Sequence, residues 1–175
     1  MTQIYKLLNR DRTSYGGYPW IIGAWSITSG EGDLCGPGWL HAYTHPMLAV
    51  LLNPIHANIA DPVLYLAEGG GQVRDDHGLK VGYTRMRIMM ALPLPALTTE
   101  HRVRFALACA ALTYEGPRWL AWAHDWLVGR DRSAASASSA SVSAAWDTVS
   151  AADLITCAEW AISDALVLPS RMEER

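Results

Sequence analysis

Leu34-Cys35-Gly36-Pro37-Gly38-Trp39-Leu40-His41-Ala42-Tyr43-Thr44-His45-Pro46-Met47-Leu48-Ala49-Val50-Leu51-Leu52 reads as a tight turn, a short strand and a helix in immediate succession. Gly36, Pro37 and Gly38 form the turn, because proline presets φ and glycine accepts positive φ. Trp39 to Tyr43 then runs extended, alternating large and small side chains. Thr44 suits an N-cap, and Pro46 falls in the first helical turn, where a missing N–H costs nothing. Met47, Leu48, Val50, Leu51 and Leu52 give this helix a broad apolar face. A glycine turn beside a helix N-terminus also exposes backbone N–H groups, so a ligand would approach here.

Working outward, Gln3 to Asn9 forms a first strand, with Ile4, Lys6 and Leu8 on one side and Tyr5 and Leu7 on the other. Tyr15-Gly16-Gly17 lets the backbone come close to a neighbour, and Ile21 to Ile27 holds one or two short strands interrupted at Gly23. Beyond the central helix, residues 53–62 form a loop bracketed by prolines. Val63 to Glu68 is a strand ended by Gly69-Gly70-Gly71. Lys80 to Leu92 is the longest strand. Val81, Tyr83, Arg85, Arg87 and Met89 face one way, and Thr84, Met86, Ile88 and Met90 the other, with one face solvated.

From Thr98 the apolar period changes from 2 to 3.6. Pro117 starts a second helix with Trp119, Trp122 and Trp126 on one largely buried face, and Gly129 closes it. Ser133 to Ala145 is nearly pure Ala and Ser, a composition that favours a close-packed helix over a linker. Ser150 and Asp153 open a last helix through Leu166 with a capping-box variant. The expectation is an α+β fold. A mixed or antiparallel sheet with one short helix occupies 1–95, and an Ala- and Trp-rich bundle of three or four helices packed on it occupies 96–175.

A net charge of −3 with scattered Lys and Arg argues against binding nucleic acid by phosphate neutralisation. No apolar run reaches the roughly 20 residues of a membrane span. The N-terminus lacks the pattern of a signal peptide, and three well-separated cysteines fit reduced thiols. A cytoplasmic protein is expected, with its oligomeric state open.

Cys35, His41 and His45 have the spacing C-x5-H-x3-H, but a structural zinc site takes four ligands, typically in close pairs. No metal is expected; the plainer reading is a small buried cysteine with His41 hydrogen-bonded beside the sheet. Cys35 and His41 also allow a nucleophile and base, which would require an activated thiolate. Cys109 and Cys157 lie on apolar helical faces. Gly69-Gly70-Gly71 does not match a dinucleotide fingerprint.

Tyr5-Lys6-Leu7-Leu8, Tyr15-Gly16-Gly17 with Trp20, Cys35-x2-Gly38-x2-His41, Tyr65-Leu66-Ala67-Glu68-Gly69 and Lys80-Val81 together resemble a family of uncharacterised proteins common in bacteriophages and actinobacteria. The Ala-rich helical tail, with Arg102-Val103-Arg104-Phe105-Ala106, is similar to theirs. The chain has Gly16 where the family has a histidine after tyrosine, and one extra residue before His41. The resemblance implies a phage or prophage origin and no particular reaction.

A second, fold-level likeness is to ADP-ribosyltransferases. It implies NAD as cofactor, His41 or Tyr43 near the nicotinamide, and Glu68 or no residue as the acid. The leading expectation is a non-enzymatic phage-type protein with no cofactor. It would bind and modulate a host protein in the host cytoplasm, as a counter-defence inhibitor does. Tyr15, Gly16, Gly17, Trp39, His41 and Trp119 are its candidate binding residues. The alternative is an NAD-binding transferase, active or degenerate.

Overall fold

Val63–Asp75 (β4) and Val81–Leu92 (β5) form a long antiparallel hairpin, and every other strand pairs with one of them. Thr2–Leu8 (β1) pairs with β4, while Ser26–Ile27 (β2) and Leu40–Ala42 (β3) pair with β5, giving a five-stranded antiparallel sheet. Tyr5 and Tyr43 exchange backbone hydrogen bonds of 2.8 Å each way. That bridge closes the circuit β1–β4–β5–β3. The computed structural model describes residues 2–114, 116–132 and 150–169, and the chain divides into two compact units, Met1–Ala96 and Leu97–Arg175. The fold is α+β.

The hairpin differs from its sequence reading at the glycines, which continue β4 instead of ending it. Gly69 lies against Tyr83, whose ring would be 2.7 Å from any added Cβ. Gly71, at φ 77°, and Gln72 together oppose Thr84, whose Oγ1 accepts a bond from the Gln72 N–H at 2.9 Å. This bulge needs a left-handed residue, and glycine supplies it at no steric cost. A second irregularity leaves Met89 without an opposite residue, since Leu66 pairs with Met90 and Ala67 with Ile88. The alternation along β5 therefore breaks. Ile88 is fully buried and Met90 is 55% exposed.

Three further boundaries move. The N-cap of the first helix, Pro46–His56 (α1), is His45 and not Thr44. The helix runs through Pro54, because proline near a helix end removes a single ladder bond. Asn53 then ends it, donating from Nδ2 to Ile59 O (2.8 Å) and accepting from Ile59 N–H (3.0 Å). Of residues 21–27, only Ser26 and Ile27 are strand. The core of this unit gathers Ile4, Leu8, Trp20, Leu40, Tyr65, Met86 and Ile88.

The second unit contains Thr99–Ala111 (α2), Pro117–Leu127 (α3) and Ala151–Ala161 (α4). Thr98 and Ser150 each form a capping box, with His101 and Asp153 as the reciprocating side chains. Gly129, at φ 79°, donates to Trp126 O and closes α3. Trp126 is buried, whereas Trp119 and Trp122 are half-buried at the margin of a core made by Leu107, Ala123 and Leu127. Cys109 and Cys157 are buried free thiols. The expected Ser133–Ala145 helix lies outside the described residues.

Helix α4 stops five residues short of Leu166, and Arg104 is the reason. Its buried guanidinium donates to Ala161 O (2.9 Å), Ser163 O (2.8 Å) and Ala165 O (2.7 Å), and it stacks on Trp160 at 4.4 Å. A cation at a helix C-terminus meets orphan carbonyls and the negative end of the dipole together. Replacing Arg104 by Ala should cost about 3 kcal/mol or more, because three acceptors lose a charged donor. Trp126→Ala should cost about 3–5 kcal/mol. Chemical denaturation of both variants checks this; Arg104→Lys should recover only part of the loss, since lysine lacks the planar fork.

Candidate functional site

Strand β3 carries the site because its neighbour on β5 is a glycine. His41 pairs with Gly82, and Leu34 and Trp39 pack into the space where a Gly82 side chain would stand. Leu34 is thereby held with its carbonyl facing the His41 ring, and Nε2 of His41 donates to that oxygen. A carbonyl only accepts, so Nε2 holds the proton and Nδ1 is the acceptor of the neutral ring. Burial pushes the His41 pKa down. The Leu34 carbonyl opposes that shift, and the Lys6 and Lys80 ammoniums reinforce it.

Lys6 enters from β1. Its buried Nζ donates to His41 O at 2.6 Å and lies 4.6 Å from the centre of the Trp20 ring. Burial pushes the ammonium down to about 7, although the carbonyl and the indole face both favour the charged form. Trp20 in turn donates from Nε1 to Ser14 Oγ at 3.0 Å. The Tyr15–Gly17 turn is thus connected to His41 through Ser14, Trp20 and Lys6.

On the other flank, Tyr43 stacks on His56 with ring centroids 5.9 Å apart, and its hydroxyl lies 3.1 Å from His56 Nδ1. Burial raises the Tyr43 pKa and lowers that of His56 to about 4, the second shift helped by the charge of Lys80. At neutral pH His56 is therefore uncharged, and its Nδ1 shares a hydrogen bond with the Tyr43 hydroxyl. Lys80 Nζ approaches Cys35 Sγ at 2.8 Å. Cys35 is exposed, which corrects the expectation of a buried thiol.

The candidate residues do not all converge. His41 and Tyr43 share the site. Trp39 is buried beside them, donating from Nε1 to Gly32 O at 3.2 Å, with Arg74 over its ring at 5.2 Å. Tyr15, Gly16 and Gly17 form an exposed turn with both glycines at positive φ, and Tyr15 is 89% exposed. Glu68 is elsewhere. It pairs with Arg87, accepting from Nε at 2.7 Å, and occupies the ladder position opposite Arg87, whereas His41 is opposite Gly82. Five residues of strand separate those positions by about 16 Å at about 3.3 Å per residue, so His41 and Glu68 do not form one constellation. Trp119 belongs to the second unit and meets Tyr114 edge-on at 5.9 Å.

Lys6 and Lys80 enter the sequence reading only as strand residues and within the family-like stretches, and neither they nor His56 is a candidate site residue there. Lys6 reads as an ordinary alternating strand residue, and only its company of Ile4 and Leu8 on one side hints at burial. What results is a cluster of one thiol, two lysines, two neutral imidazoles and a phenol at one end of the closed strand circuit. Among the described residues, no three His, Cys, Asp or Glu side chains are grouped as a metal site requires. No described helix is long and apolar enough to cross a membrane.

Lys6 makes stability depend on pH. Below about pH 7 both folded and unfolded chains hold its proton. Between about 7 and 10.5 only the unfolded chain does, so stability rises with pH through that window. The slope contributed is at most about 1.4 kcal/mol per pH unit. Lys6→Met should remove this contribution, and urea titrations of both proteins from pH 6.5 to 9.5 would reveal the difference in slope. No family model matches the chain, and no curated protein or solved structure matches it.

Proposed function

We propose that this protein acts by binding another protein, through the surface made by residues 15–27 of its first unit. One observation carries the reading. Within thirteen residues, Tyr15 (89% exposed), Tyr18, Ile21 (70%), Ile22 and Ile27 (67%) all present large apolar side chains to solvent. Single exposed apolar residues are ordinary, but a run of this density marks an interaction surface. The segment is not loose: Gly23 N–H donates to Ile88 O at 2.8 Å, and Ile27 pairs with Arg85. Contacts offered on a fixed backbone cost less ordering entropy on binding.

The surroundings describe the partner. Arg85 and Arg87 stack on Trp25 at 4.6 and 4.9 Å, and Arg85 and Arg12 are exposed. Arg87 is neutralised by Glu68, but neither Arg85 nor Arg12 has an ion pair with a described residue. An apolar centre with arginines at its rim fits a protein that offers aliphatic residues ringed by carboxylates. The phage resemblance makes a host protein the expected partner, with inhibition of a defence component as the specific form.

The test compares the wild-type protein with Ile21→Asp/Ile27→Asp, each captured from a bacterial host that expresses it. The double variant should melt within a few degrees of wild type, because exposed substitutions rarely change stability by more than about 0.5 kcal/mol. It should also lose a stoichiometric partner that the wild type retains, and Arg85→Glu should weaken the same capture. Equal recovery by both proteins would overturn the proposal. So would a wild-type dimer that the double variant converts to a monomer, since the surface would then serve self-association.

A further inference from the structure

We infer that Cys35 and Lys80 form a modification site, in which oxidation of the thiol by a peroxide is followed by a covalent sulfur–nitrogen bond between the two side chains. The first support is proximity: Sγ and Nζ are 2.8 Å apart although 45 residues separate them in sequence. The second is that each partner is held from both sides. Before Cys35, Leu34 packs over Gly82 and its carbonyl receives the His41 Nε2–H. After it, Gly36 N–H donates to Asp33 O at 2.8 Å, closing the turn. Lys80 is fixed at the start of β5 by the Asp76 N–H bond to its carbonyl (3.0 Å), and Leu79 N–H donates to Asp76 O (2.8 Å). Reacting groups positioned in this way behave as if at very high concentration. The third is selectivity, because Cys109 and Cys157 are buried while Cys35 is exposed.

The chemistry closes without a further reagent. The Cys35 thiolate attacks one peroxide oxygen and the O–O bond breaks, leaving a sulfenic acid; the departing hydroxide takes a proton from the Lys80 ammonium and becomes water. The freed amine then attacks the sulfenyl sulfur. The N–S bond forms, the S–O bond breaks, and the leaving hydroxyl takes one of the two remaining nitrogen protons as a second water, leaving one N–H in the product. Sulfur loses two electrons and hydrogen peroxide gains them. The product is a sulfenamide that ties the turn at residues 33–36 to the start of β5, beside His41. A thiol reductant reverses it.

Intact-mass and peptide mapping after limited hydrogen peroxide test this directly. The wild type should become about 2 Da lighter, the loss of two hydrogens, with Cys35 and Lys80 peptides joined and released by dithiothreitol. Its melting temperature should rise with the cross-link and return on reduction. Lys80→Arg keeps the positive charge but has no attacking amine, so its Cys35 should stop at the sulfenic acid and react with dimedone. Cys35→Ser should show neither product. Dimedone labelling of wild type equal to that of Lys80→Arg would overturn the inference. A wild type that gains oxygen at Cys35 with no joined peptide would do so too.

Discussion

The β4–β5 ladder is the constraint on which the first unit depends. Neither β2 nor β3 is long enough to stand alone, at two and three residues, and short strands need a template that is already formed. The ladder is that template only because it yields at two places. The bulge at Gly71–Gln72 and the unpaired Met89 bend the hairpin, so that β3 on one edge can return to meet β1 on the other. A straight hairpin would leave Tyr5 and Tyr43 apart, and Lys6 could not donate to His41 O.

The same geometry explains the chemistry of the site. Closing the strands places a lysine in a core, where its ammonium donates to a main-chain carbonyl. Three of the site's titratable groups, Lys6, His41 and His56, are shifted toward neutrality, and burial is the first cause in each. Lys80, next to the exposed thiol, adds a charge that pushes both imidazoles the same way. Charge is kept at the surface of this cluster and discouraged inside it.

Much of the architecture was legible in the sequence, and the exceptions have a common physical origin. The capping box at Ser150, the proline start of α3 and the period-2 pattern of β1 are local signals, and each element follows them. Three of the misplaced boundaries depend on partners that the local pattern does not show. The glycines of β4 end a strand in isolation but continue one when Tyr83 and Thr84 lie opposite; Pro54 ends a helix unless an Asn53 is ready to complete it; α4 ends where Arg104, 57 residues earlier, collects its carbonyls. In the site, His41 and Tyr43 stood out by residue type on a short strand. Lys6, His56 and Lys80 could not, because their roles come from the circuit's closure and not from spacing.

The bulge has one more effect, on how this sheet meets copies of itself. β1 pairs along β4 only as far as Gly69, and residues 70–75 continue as an outer edge with no strand beside it among the described residues. An open edge of that length could recruit a strand from another molecule and begin a growing stack. Here the left-handed Gly71 twists the edge out of plane, and Arg74 and Asp75 place opposite charges on the stretch that follows. An incoming strand would find neither a flat row of donors and acceptors nor an uncharged face. The distortion that allows the sheet to close on one side keeps it from propagating on the other.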